Sequence, residues 1–563
     1  CNHAAQYARG SYILFLNNDT QVQENWLQPL LDLIVKDPLT GMVGSKLVYA
    51  DGWLQEAGGI VWEDASAWNY GNRKNPGDPE YNYVKEADFI SGACIMIKKK
   101  LWDSIGGFDE EFAPAYYEDV DLAFEVRKKG YKVLYQPLSV VVHFEGVSNG
   151  TDISSGQKSY QAANKEKFYK KWKDVLEKEN FPNGENVFLA KDRGRFKKHI
   201  LVVDHYVPHF DKDAGGRGTF MYLKLFKSMG MHITFIGDNF FKHEPYTTML
   251  NQEGIEILYG AYYLKNYQKW IKENGKFIDY VYLQRPHISV KYMDLVKECT
   301  NAKIIYYDVD LCHVREMRQY EITKDESLLE SAEKWKEIEF GLIEKADVVH
   351  VVGSYEEEYL KGYFPDKKIR NIPLYIYSDI KQGVEKDFDK RKDLLFVGGF
   401  GHPPNEDAVL WFAQNVFPKI LKEYSDIKWY IVGAKPPESV QGLADEHIIV
   451  KGFVSDEELD DLYSRCRLDV VPLRYGAGVK GKVLEAIYNQ IPLVTTSVGA
   501  EGLSKEEDAY WMVDDAETMA ELIINIYSNK DELLVKSENC KKFILNHFTI
   551  KKAIDILHMD MNE

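Results

Sequence analysis

The stretch DVVPLRYGAGVKGKVLEAIYNQIPLVTTSVGAEG, residues 469–502, reads as strand, glycine turn, helix and strand. The apolar run Asp469–Val471 is short enough for a buried parallel strand, and Leu493–Thr495 repeats it after a helical interval. Between them Gly476-Ala477-Gly478-Val479-Lys480-Gly481 satisfies G-x-G-x-x-G, and with Lys482 it nearly satisfies the phosphate-loop pattern of nucleotide hydrolases. Neither label fits. The residue after Lys482 is Val483, which cannot ligate Mg²⁺, and the motif belongs to the last sheet of the chain instead of the first βα unit. The chemistry outlasts the labels: a flexible turn at Gly478, the ammonium groups of Lys480 and Lys482, and a helix amino terminus together make an anion site. Glu485, one turn into that helix, could accept hydrogen bonds from ribose hydroxyls, although a first-turn acid is also what the macrodipole favours.

Outward from this unit the same alternation recurs. Short apolar runs at Tyr12–Leu16, Ile200–Val203, Ile233–Ile236, Val281–Leu283, Ile304–Tyr307, Val348–Val352, Leu394–Val397, Trp429–Val432 and Ile448–Val450 are separated by amphipathic stretches. The fold class is α/β, with doubly wound parallel sheets whose ligands sit beyond the carboxyl ends of the strands. At such ends stand Gly398-Gly399 after Leu394–Val397, and Gly433 after Trp429–Val432. Earlier, Gly215 and Gly216 open a helix and would let a phosphate approach its amino terminus, or they mark a plain loop-to-helix transition. Asp308, Asp310 and His313 follow the strand IIYY, with His313 placed either to face a cleft or simply to start a helix.

The candidate residues of the first third are mainly carboxylates where those of the last third include two lysines. The strand YILFL ends in Asn17-Asn18-Asp19, a carboxylate at a strand tip that could hold a divalent cation against a diphosphate leaving group, or else a turn closed by its own side chains. Glu118-Asp119-Val120-Asp121 begins a helix; one acid is a normal cap, but three in four residues exceed what a cap requires, and one facing an acceptor hydroxyl could act as general base. His143 ends the apolar run SVVV, where a neutral imidazole could ligate a metal.

At 563 residues the chain exceeds one hydrophobic core and suggests about three or four domains. A net charge of −18 argues against a nucleic-acid partner. Six scattered cysteines without a C-x-x-C pair read as reduced thiols, hence a cytoplasmic protein. No apolar run nears the roughly 20 residues of a membrane span. Residues 157–198 are basic against the trend of the chain, a solvated helix and linker or a surface attracted to anionic lipid, so a peripheral membrane contact stays open. The sequence opens on Cys1 with a helix leading straight into a strand, as in the middle of a domain.

Taken together, NNDT, SGACIMIKK, GGFDEEF, EDVDLAFEVRKKGYK, HFEG and NKEKFYKKW resemble glycosyltransferase family 2, its rhamnosyltransferase-like branch, over residues 1–175. The resemblance implies a GT-A fold whose first strand-turn-helix unit is missing here, inversion at the anomeric carbon, Mg²⁺ or Mn²⁺ on Asp19 and His143, and catalysis by Asp119 with Asp121 beside it. After a linker at 176–197, VGGFGHPPN, KGFV, GVKGKVLEA, IPLVTT and GAEG resemble glycosyltransferase family 4. That implies a GT-B pair of Rossmann-like domains, an acceptor domain at 198–380 with His313, and a donor domain at 381–563 that needs no metal. There Glu485 resembles the ribose-binding glutamate, Lys480 and Lys482 the diphosphate ligands, and Gly215, Gly216, Gly399 and Gly478 line the nucleotide-sugar site. Many members carry a second glutamate eight positions earlier, where this chain has Ala477. The expected activity is hexosyl transfer from UDP-, GDP- or dTDP-linked donors to a bacterial surface glycan or its lipid-linked precursor. The rival is a glycan-binding or scaffold protein with one or no active module.

Overall fold

The computed structural model describes residues 1–144 and 160–562. The end of the HFEG motif and the start of the basic 157–198 stretch lie outside the described residues. The chain folds into two compact units: residues 1–201, 226–279 and 299–301 form the first, and residues 202–225, 280–298 and 302–563 the second.

The first unit is built on a sheet in the order Tyr12–Leu16, Cys94–Lys98, Thr40–Val48, Lys132–His143, Thr20–Val22. The sheet is mixed: Tyr12–Leu16 and Thr40–Val48 both run antiparallel to Cys94–Lys98, while Thr40–Val48 is parallel to Lys132–His143. The expectation of parallel strands from simple alternation therefore fails for this sheet. Thr40–Val48 is buried along its whole length, as a central strand covered on both faces must be. Its neighbour's register sets the site: Thr20 pairs with His143, which brings the Asp19 turn beside the end of the long strand.

Helix Glu118–Lys128 carries the acid cluster in its first turn and buries Val120, Leu122, Phe124 and Val126. It is preceded by Tyr116 and Tyr117, both left-handed at φ 74 and 73, a conformation that costs a non-glycine residue on the order of 1–2 kcal/mol and persists only when neighbours hold it. Helix Tyr160–Glu179 does the holding. Its Asn164 amide donates to the carbonyls of Phe112, Ala115 and Tyr116 at 2.8, 2.9 and 3.0 Å, and its Phe168 and Trp172 pack on Phe124.

The stretch 176–197, expected to be a linker, is exposed at 182–185 and reaches the interior at Ala190–Asp192. Lys191 and Asp192 are buried; Lys191 pairs with Glu256 at 2.6 Å, and Asp192 takes the Glu86 N–H and His232 Nδ1, each at 2.8 Å. Charge alone suggests a solvated segment, but these ions are matched by partners far away in sequence. Within this unit Glu256–Leu258 pairs parallel to His232–Gly237.

In the second unit, Tyr280–Gln284, Lys303–Asp308, Val348–Val351 and Lys368–Asn371 form a parallel run. A second parallel sheet has the order Ile448–Gly452, Trp429–Val432, Leu394–Val397, Leu468–Val471, Leu493–Thr495, Trp511–Met512. Its core stacks Trp429 on Phe412 and Phe417. Chain order reverses between Leu394–Val397 and Leu468–Val471, so the turns after these two strands flank a topological switch point, where such sheets bind ligands. No helix among the described residues is long and apolar enough to cross a membrane.

Candidate functional site

In the first unit the turn Ser91-Gly92-Ala93 organises the acids. The Ser91 N–H donates to Glu56 at 3.0 Å, the Gly92 N–H donates to Asp119 at 2.8 Å, and the Ala93 carbonyl accepts the Asn17 N–H at 3.0 Å. One turn thus ties the Asp19 strand tip to the helix of Asp119. Asp119 also accepts the Val120 N–H at 2.8 Å. Burial pushes its carboxyl above the ordinary range against the pull of these N–H groups. Glu118, next to it, is raised to about 7 by burial and then by the charge of Asp119. A general base needs a pKa brought up toward the working pH, and burial moves both acids that way.

Asp19 and His143 lie side by side, with Nε2 3.4 Å from Oδ1. Gln55 Oε1 lies 3.2 Å from His143 Nδ1; accepting that N–H leaves Nε2 with the lone pair a metal ligand needs. Among the described residues no group of three His, Cys, Asp or Glu side chains converges. One carboxylate and one imidazole suit an ion such as Mg²⁺ that takes the rest of its shell from water and a diphosphate.

Asp121 has a different setting from the one expected. It is 1% exposed and receives Trp172 Nε1 at 2.7 Å and Lys171 Nζ at 2.9 Å, both from helix Tyr160–Glu179. Two positions after Asp119 on a helix, its side chain points about 200° around the axis, and it clasps the neighbouring helix.

In the second unit the switch-point turns carry cations. Gly433 lets Gly398 approach closely, since a Cβ on it would collide with the Gly398 carbonyl. Asn405, buried at the start of helix Pro403–Asn415, donates to the Gly399 carbonyl at 2.6 Å and receives Lys482 Nζ on its Oδ1. Burial and then the neighbouring Lys480 push Lys482 down to about 7, and burial also lowers Lys480. His402 is pushed down to about 4 by desolvation, then by Lys482, Arg315 and Lys480. Cationic groups gathered on one region, among them the buried Lys480 and the half-buried Lys482, both held below their ordinary range, define a place prepared for an anion.

The loop entering helix Gly481–Tyr488 is held open by glycine. Gly478 has φ +69, its N–H donates to the buried Glu356 at 2.9 Å, and the Gly476 carbonyl accepts Arg318 Nη1 at 2.7 Å. Arg318 grips Glu501 through two hydrogen bonds of 2.8 and 2.6 Å. Lys480 turns back onto the carbonyls of Ala477 and Gly478. Glu485 is ion-paired with Arg217 of helix Ala214–Ser228, and the buried Tyr375 and Tyr463 and the half-buried Tyr377 lie within range of its charge.

Two sequence assignments change here. The amino terminus opened by Gly215 and Gly216 already holds a carboxylate, for the Gly216 N–H donates to Asp213 at 2.6 Å. His313 is buried, with Nδ1 on Glu339 and Nε2 2.9 Å from the Tyr359 hydroxyl; it sits inside a network instead of facing a cleft, because Glu339 from helix Ser327–Lys345 caps its turn. Sequence reasoning passes over Glu56, Asn405 and Arg217, whose partners are long-range and leave no local spacing; only the motif GFGHPPN places Asn405 near a strand end.

Residues 1–105 match the family Glycosyl transferase family 2, and residues 391–529 match Glycosyl transferases group 1. The O-antigen biosynthesis protein RfbC of Myxococcus xanthus is 32% identical over 161 residues, 27% of this chain and 12% of that protein. N-acetylglucosaminyl-diphospho-decaprenol L-rhamnosyltransferase of Mycobacterium tuberculosis is 26% identical over 159 residues, 26% of this chain and 50% of that protein. The chain thus spans half or less of the length of these curated relatives. A sucrose-phosphate synthase from Thermosynechococcus elongatus shares the fold over 64% of this chain and 98% of its own, with a TM-score of 0.51 at 15% identity. The two family matches stand in tandem along the chain, the family 2 match ahead of the group 1 match.

Proposed function

We propose that this chain transfers hexosyl groups from UDP-, GDP- or dTDP-linked donors to a growing bacterial surface glycan, free or lipid-linked, on the cytoplasmic side of the membrane. The observation that carries the reading is the convergence of Lys482, Lys480 and the amino terminus of helix Gly481–Tyr488 on the switch-point turns. These groups would take the charge of a nucleoside diphosphate as it leaves, with no metal required. Glu485 would exchange Arg217 for the ribose hydroxyls. Retention of configuration in this module is part of the proposal.

For the first unit the proposal is inverting transfer. Asp119 would accept the proton of the acceptor hydroxyl as that oxygen attacks the anomeric carbon, while the glycosyl–phosphate bond breaks. Asp19 and His143 would hold Mg²⁺ or Mn²⁺, which supplies Lewis-acid neutralisation of the departing diphosphate.

The test is calorimetric titration of UDP-, GDP- and dTDP-sugars into the full chain, followed by nucleotide-release assays with those that bind. Binding lost in the Lys482→Met variant supports the donor site. If no donor binds at either site, the reading as an enzyme fails and a glycan-binding scaffold takes its place.

A further inference from the structure

Glu56 belongs to strand Leu54–Glu56 and lies far in sequence from every motif of the first unit. Its side chain is fully buried. One oxygen accepts the Ser91 N–H; the other, Oε2, has no hydrogen-bond partner among the described residues. A buried carboxyl oxygen left without a partner is costly in either protonation state, so such a group persists for a reason other than stability. The adjacent N–H on the same turn, that of Gly92, is taken by Asp119. Two carboxyl groups are therefore hung on two successive amides, and the charge of Asp119 acts on Glu56. The charge of Asp119 from helix Glu118–Lys128 acts on Glu56, and that of Glu56 acts on the Tyr135 phenol from strand Lys132–His143, whose hydroxyl is committed to the Tyr81 carbonyl at 2.9 Å. No cation faces it among these neighbours. Burial, opposed by the Ser91 N–H and reinforced by Asp119, pushes its carboxyl up to about 8.

We propose that Glu56 is a positioning residue for Asp119: the two form a pair of one carboxyl group and one carboxylate on the Ser91–Gly92 turn. The Glu56 O–H orients the carboxylate that receives the acceptor's proton. The inference rests on Asp119 as the general base. It explains how Asp119 can stay ionised in a buried acidic setting: its neighbour carries the proton. It also predicts an alkaline limit to the reaction, since loss of the Glu56 proton would set two like charges side by side.

Infrared difference spectroscopy during a pH titration of the full chain tests the pair without any substrate. The difference between wild type and Glu56→Gln should contain a carboxylic-acid band, distinct from that of Glu118, that titrates near pH 8 and is also present in Asp119→Asn. In Asp119→Asn the midpoint of that band should move to lower pH, because the charge that raises Glu56 is gone. An unmoved midpoint, or the absence of that difference band, overturns the pairing; if Glu56→Gln does not fold, the midpoint in Asp119→Asn alone decides. In the first-unit transfer assay, Glu56→Gln keeps an N–H donor but loses the carboxyl O–H, and should lower the rate at pH 7 by about tenfold, far less than Asp119→Asn. It should hold its rate above pH 8, where the wild type declines. A residue that only anchored the turn would leave that alkaline limb in place. Failure of the base assignment has a separate signature, Asp119→Asn remaining active while the midpoint shift is still seen.

Discussion

The two candidate sites are opposite in charge and alike in physics. Around the Ser91–Gly92 turn, burial lifts Glu56 to about 8 and Glu118 to about 7; at the switch point of the last sheet, burial brings Lys482 down to about 7. Desolvation penalises charge of either sign, so each site moves toward neutrality. The difference lies in what restores the charge. On the proposed function, the acidic site would meet a diphosphate only through a cation, for which Asp19 and His143 would be the ligands, and the lysine site would meet it directly. The chain would then carry two answers to the same leaving group.

The largest expected effect breaks the symmetry at the base. Asp119→Asn should lower first-unit transfer by about a thousandfold or more, with donor binding by the second unit unchanged. A chelator should do the same, silencing the first unit and sparing the second. Glycan transfer with each donor, with and without added Mn²⁺, reads both, and equal sensitivity of the two activities would remove the distinction between the sites.

Next in size is Lys482→Met, which should weaken nucleoside-diphosphate binding by roughly 10- to 100-fold, the worth of a charge-assisted hydrogen bond. The wild type should show the matching pH dependence. In the free protein Lys482 loses its proton near pH 7; a bound diphosphate favours the charged form and raises that value. Binding therefore takes up a proton above pH 7, and affinity falls with rising pH, by at most about tenfold per unit. Calorimetry in buffers of different ionisation enthalpy measures the uptake. A flat affinity between pH 7 and 9 would exclude Lys482 as a diphosphate ligand.

Smaller is the effect of Glu485→Ala, expected to weaken binding of a nucleoside without phosphates by about five- to tenfold. Part of the loss is offset because Glu485 is engaged by Arg217 before any ligand arrives. If uridine and guanosine bind the variant as they bind the wild type, the ribose assignment falls.

How legible these sites are follows the distance over which each is built. The Lys480–Glu485 loop is one continuous turn and helix, and Asp119 lies in a four-residue acid run, so both stand out in sequence. Asp19 and His143 are each visible as strand ends, but only the register of Thr20 on His143 joins them. Glu56, Asn405 and Arg217 act on partners 35, 77 and 268 residues away. No periodicity records such a contact. The mixed first sheet escapes for a related reason, since alternation of strands and helices says nothing of strand direction.

The smallest effect on transfer separates Asp121 from Asp119. Both belong to one acid cluster that sequence alone assigns to catalysis, yet Asp121 faces Lys171 and Trp172 and is 1% exposed. Asp121→Asn keeps an acceptor for the indole N–H and loses the charge opposite Lys171. Transfer should stay within about threefold, while stability falls by about 1–2 kcal/mol, since the charged hydrogen bond is part-buried and Lys171 retains Asp109 at 3.0 Å and Glu125 at 3.4 Å. Urea unfolding alongside the transfer assay reads both quantities. A loss of activity as deep as that of Asp119→Asn, with unchanged unfolding, would mean that Asp121 turns toward the substrate in the working enzyme and that the clasp between the two helices opens.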